Sequence, residues 1–178
     1  MRPNLLPDVS EEENAMTAQP LMVDKDPPQI ADFDFQFGRW TVAHRRLRAR
    51  GVGCDDWDVF DSTSQCRPQL GGVANVEEQV CVARGWMGMA LRTLDLATGE
   101  WSIYWINDAD GRLQPPVRGR FTGGVGRFEG PDVDAGRPIV ARYEWSRCRT
   151  AHPRWTQSFS YDGGATWEMN WIMDFTRA

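Results

Sequence analysis

The chain has 178 residues, enough for one domain with a substantial core, and carries a net charge of −5. That charge is localised: the first 32 residues hold seven acids against two bases, so the remaining 146 balance at 18 of each. A neutral body without a basic stripe argues against a nucleic-acid partner, and no apolar run approaches a membrane span or a secretory h-region, so a cytoplasmic location is expected.

Residues 1–32 carry five prolines, an acidic run and no aromatic, the composition of a disordered arm. Within it Ser10 and Glu13 could form a capping box opening a short helix around 11–17. From Phe33 onwards the pattern changes to short alternating segments. Strands are predicted over 38–50, 57–67, 73–82, 86–95, 101–107, 117–121, 125–129, 139–147, 154–161 and 166–176. Glycine-rich turn signals separate them, among them Gly71-Gly72, Thr98-Gly99, Gly123-Gly124 and Asp162-Gly163-Gly164. No segment past Phe37 shows sustained helical periodicity. About ten strands joined mostly by hairpins make an antiparallel meander, and closure into a barrel removes its edges. The predicted fold is therefore all-β: one antiparallel barrel over 33–178, preceded by the acidic arm over 1–32.

Cys54, Cys66, Cys81 and Cys148 are widely spaced and form no C-x-x-C, so they read as small apolar residues and not as ligands or a redox pair. His44 and His152 are the only histidines, too few for a three-histidine zinc site. No metal or cofactor is implied. Asp108-Ala109-Asp110-Gly111 begins like a calcium loop, but the position due to hold its closing glutamate is Gly119, so this is a turn. Gly123-Gly124-Val125-Gly126 precedes a strand, without the helix that cradles phosphate.

Through FDFQFGRW, LGGVANV, LATGEWSIYW and SYDGGATWEMNWIMDF, residues 33–177 resemble an uncharacterised bacterial family of lipocalin-like (calycin) domains. The resemblance implies a barrel with one closed end, plugged by Trp40 from the opening G-x-W and covered by Arg177 from the last strand in a cation–π contact. It implies a cavity but no reaction. Ser160-Tyr161-Asp162-Gly163-Gly164-Ala165-Thr166-Trp167 also matches the Asp-box of sialidase propellers, where the aspartate caps a hairpin and the tryptophan packs beneath it. One copy cannot build a propeller, so it is expected to act as a hairpin seat only.

Nine tryptophans, all beyond residue 39, supply the aromatic surface for a core or a cavity wall. Strand 166–176 puts Trp167, Met169, Trp171, Met173 and Phe175 on one face, expected to be inward. Strand 101–107 sets Trp101, Ile103, Trp105 and Asn107 against Ser102, Tyr104 and Ile106, so its two apolar faces leave open both its orientation and a homodimer surface. Strand 73–82 offers Ala74, Val76, Glu78, Val80 and Val82 on one face and Val73, Asn75, Glu77, Gln79 and Cys81 on the other, so either choice takes a carboxylate inward. In an aromatic cavity such a carboxylate would have a raised pKa and could move protons; alternatively it pairs with an inward arginine, Arg92 or Arg142. His44 shares the face of Trp40 and Val42 and is the one strand histidine able to titrate near neutrality.

The candidate ligand-binding residues are thus Trp105, Trp171, Met169, Met89, Trp86, Asn75, Arg92 and Asn107, and the candidate catalytic residues are Glu77 and His44. Three functions remain open. One is a carrier for a mostly apolar or aromatic small molecule. A second is a cofactor-free cyclase or isomerase of a bacterial natural-product pathway that folds its substrate in the same cavity, and the third is a haem binder.

Overall fold

The computed structural model describes residues 28–178, and the predicted arm up to residue 27, with its capping box, lies outside them. Ten strands form one closed antiparallel barrel: β1 (Gly38–Leu47), β2 (Trp57–Gln69), β3 (Ala74–Cys81), β4 (Trp86–Asp95), β5 (Glu100–Asn107), β6 (Val117–Thr122), β7 (Val125–Asp134), β8 (Arg137–Ser146), β9 (Arg154–Ser160) and β10 (Glu168–Arg177). Each pairs with the next, and β1 pairs with β10, Trp40 opposite Arg177, so no sheet edge is left open. Among the described residues no helix is long and apolar enough to cross a membrane. Ten strands were expected, and the turns between them use the predicted glycines. Gly123 and Gly124 adopt φ of 61° and 84°, the pair of positive values that a two-residue hairpin following the strand twist requires.

Strand β7 runs five residues further than predicted. Gly130-Pro131-Asp132 lies past the predicted end, yet the strand pairs with β8 as far as Asp134 opposite Arg137. On its other side the β6 ladder stops at Glu129, so Pro131 stands where the strand has a single neighbour and its missing N–H is tolerated.

The closed end is an aromatic plug. A 3₁₀ segment, Pro28–Gln36, crosses it and carries the fully buried Phe33 into edge contacts with Trp101 and Phe121, at centroid distances of 4.9 and 5.0 Å. Burying such a phenyl contributes about 1.5–3 kcal/mol. Pro28–Asp32, grouped with the arm by composition, belongs to this segment; Asp32 accepts a 3.1 Å hydrogen bond from the Trp101 indole. Trp40 donates to the Gln36 carbonyl at 2.7 Å, and the Arg177 guanidinium lies 3.8 Å above the Trp40 ring, as the resemblance implied. Arg177 also donates to the carbonyls of Phe35 and Phe37, tying the last strand to the plug.

The thinnest seam lies between β5 and β6, where only Trp101, Ile103 and Ser102 have partners. Gly119, opposite Trp101 on β5, lies against the β7 backbone on its other side: a Cβ there would sit 1.8 Å from the Arg127 carbonyl oxygen. Gly119→Ala is therefore expected to lower stability by about 3 kcal/mol, the upper range for overpacking. Urea unfolding checks this, and an unchanged midpoint would mean that β6 and β7 move apart freely.

Candidate functional site

Above the plug the barrel encloses a cavity of about 390 Å³, within the range of small-molecule sites. Its walls follow from strand parity. Trp86, Ala90 and Arg92 come from β4, Ile103, Trp105 and Asn107 from β5, Tyr143 and Trp145 from β8, and Trp155, Gln157 and Phe159 from β9. Trp171 and Met173 come from β10, while Arg46 and Arg50 close one side of the mouth. Gly88 gives Trp105 its place, since a Cβ at Gly88 would lie 2.2 Å from the indole. Trp86 and Trp105 meet edge to face at 6.5 Å, and so do Trp155 and Trp171 at 5.8 Å. At the rim Arg50 and the Tyr161 hydroxyl both donate to Asp134.

The floor is charged. Strand β3 turns Asn75, Glu77 and Gln79 inward, while Glu78 is exposed and Val76 and Val80 are half-buried on the outside. Glu77 and Arg92 are 2% and 3% exposed and form a buried ion pair. Glu77 Oε1 further accepts from the Ser64 hydroxyl at 2.6 Å and from the amides of Gln36 and Gln79, each at 3.2 Å. Arg92 Nη1 donates to Asn75 Oδ1 at 2.9 Å, and its guanidinium lies 4.9 Å from the Phe33 ring centroid. The expectation of a raised Glu77 pKa is thereby corrected. Burial alone would raise it, but the Arg92 charge and the hydrogen bonds from Ser64, Arg92 and Gln79 outweigh burial and hold it below the usual carboxylate range. Glu77 is an ionised, fully engaged acceptor and a weak base. Arg92 Nε and Trp145 Nε1, both on cavity-lining residues, are buried donors without an acceptor among the described residues.

His44 faces the barrel interior on the parity of Trp40 but is packed among Phe60, Trp86 and Trp171 and does not line the cavity. Its ring is fully buried and stacks on Phe60 at 4.5 Å. Trp171 Nε1–H, a donor only, points to His44 Nδ1 at 3.1 Å, so in the neutral ring the proton is on Nε2 and is donated to Ser62 Oγ at 2.7 Å. Burial, reinforced by the nearby Arg46 charge and partly opposed by Glu77, pushes its pKa from the usual 6.5 down to about 4. The role visible in the structure is to hold the Trp171 indole in place.

Of the predicted ligand residues, Trp86, Arg92, Trp105, Asn107 and Trp171 line the cavity, whereas Asn75 sits beneath it as the acceptor that orients Arg92. Met89 and Met169 do not line it. Met89 is out of phase with Trp86 and Arg92 on β4 and faces outward beside Glu78 and Ile106. Met169 is 47% exposed because a bulge at Asn170 breaks the alternation: Met169 pairs with Ser158 and Trp171 with Gln157. Asn170 is fully buried and accepts from Gln157 at 2.8 Å. Sequence reasoning left out Tyr143, Trp155 and Gln157 as ligand residues, although plain alternation from Trp145 and Phe159 leads to each, while Arg46, which alternation from Trp40 carries into the cavity, was not given a ligand role. In the Asp-box hairpin Asp162 accepts from Thr166 N and Oγ1 at 2.9 and 2.6 Å, and Trp167 donates to the Gly164 carbonyl, with no part in the cavity. No family model matches the chain, and no curated protein matches it.

Between pH 6.5 and about 4 the unfolded chain takes up a proton that folded His44 refuses, so the stability present above pH 6.5 is lost as pH falls across that window. The shift corresponds to about 3 kcal/mol, at about 1.4 kcal/mol per tenfold step. His44→Asn should flatten the fall, which thermal melts from pH 7.5 to 4 will measure.

Proposed function

We propose that the barrel is a non-catalytic binding module for a flat, mostly apolar small molecule. The observation that carries this reading is the combination of a 390 Å³ cavity with four indoles, Trp86, Trp105, Trp155 and Trp171, standing around it. Indoles supply large, rigid contact area at little conformational cost, and their edge-to-face pairing leaves ring faces for a planar guest. The resemblance to lipocalin-like domains supports the same use of the fold.

The two groups that could move protons are both committed elsewhere. Glu77 is held ionised by Arg92 and three further donors, and both His44 nitrogens are engaged by Ser62 and Trp171. This speaks against a cyclase or isomerase built on them. It equally leaves His44 without a lone pair for haem iron.

The neutral probe 2-naphthamide should bind measurably in calorimetry. Trp105→Ala should weaken it roughly tenfold, as for an aromatic anchor in a pocket. Met169→Ala, on the outer surface, should not change its affinity. Equal loss in both variants, or no binding by the unaltered protein, would sink the reading.

A further inference from the structure

Three arginines line the cavity, and two of them have carboxylate partners within it: Arg92 has Glu77 and Arg50 has Asp134. The third, Arg46, forms no ion pair among the described residues. The carboxylates acting on it electrostatically are already engaged, Asp134 by Arg50 and Tyr161, and Asp58 by Arg48 and Arg84. Arg46 is nevertheless half-buried, with its guanidinium 4.3 Å from the Trp171 ring centroid. Stacking fixes the plane of the group and leaves its N–H fork without a protein acceptor among the described residues.

A cation held partly out of water without a counter-ion is unfavourable, and burial together with the neighbouring Arg50 charge lowers the Arg46 pKa accordingly. A bound anion would reverse that. A planar guanidinium fork on an indole wall matches a carboxylate in two parallel hydrogen bonds while the guest's ring meets the same wall. Asp108 and Asp132, also lining the cavity, disfavour a second negative group.

Resting on the binding role proposed above, we propose that the ligand class is an aromatic monocarboxylate, with its ring among the cavity indoles and its carboxylate received by Arg46. The test is calorimetric titration of the full chain at pH 7 with 2-naphthoate and its neutral counterpart 2-naphthamide. The unaltered protein should prefer 2-naphthoate roughly tenfold, the range for hydrogen bonds to a charged group. Arg46→Met should abolish that preference, the naphthoate-to-naphthamide ratio falling to about one whatever the change in naphthamide affinity itself. Arg46→Lys should keep a smaller preference, as a point charge lacks the fork. A cooperative melt will show that each variant folds; should the methionine variant fail, the naphthoate-to-naphthamide ratios of the unaltered and lysine proteins decide. A ratio near one in the unaltered protein, or a ratio retained in Arg46→Met, overturns the anionic ligand while the cavity role stands. If neither probe binds, the cavity role falls and the proposal with it.

Discussion

The Glu77–Arg92 pair is the interaction around which the barrel interior is organised. Two opposite charges removed almost entirely from water need their remaining donors and acceptors engaged. Ser64, Gln36, Gln79 and Asn75 engage most of them from β2, the 3₁₀ segment and β3, leaving Arg92 Nε without an acceptor among the described residues. This layer divides the barrel in two. Below it Phe33, Trp40, Trp101, Phe128 and Phe175 pack as a sealed core; above it the indoles stand around open space. Because Gln36 reaches Glu77 from the plug, the closed end and the cavity floor are parts of one construction.

Eight of the nine tryptophans divide their labour, most of them along the same boundary. Trp40 and Trp101 seal the closed end through hydrogen bonds to the Gln36 carbonyl and to Asp32. Trp145 lies at the boundary, and Trp86, Trp105, Trp155 and Trp171 form the wall. Trp167 seats a hairpin and is covered by Arg142 at 3.5 Å, so the aromatic excess is partly scaffold. The wall itself depends on one polar contact, His44 fixing Trp171, and on Gly88, which makes room for Trp105. Neutral, buried His44 acts as a structural acceptor because its surroundings penalise its charged form.

Much of this was legible in the chain. Alternation with glycine turns led to ten strands in the right order, and Trp40 with Arg177 pointed to the closed end. The failures have definite causes. Met89 could not share a face with Trp86 and Arg92 on a regular strand, so parity alone argued against it. Met169 obeyed parity but sits one residue before a bulge, and a bulge leaves no unambiguous mark in a sequence whose Asn170 could as easily be an outward polar residue. On β3 alternation left either face free to point inward. The valine face lies outward, and the inward Glu77 meets Arg92, the pairing offered as an alternative to a proton-moving role.

Sequence by itself determined what depends on neighbours along the chain: strand periodicity, hairpin chemistry and the acidic segment set apart by composition; the Trp40–Arg177 contact between the first and last strands was implied by the resemblance alone. Only the tertiary structure decided which groups are free to act. Glu77 changes from a candidate base to an ionised anchor, His44 from a titrating group to a neutral support, and Arg46 from a strand residue to the cavity cation without a carboxylate among the described residues. The reason is that protonation and partnership are set by charges and dipoles brought together from strands far apart in the chain, over distances of a few ångströms that alternation does not encode.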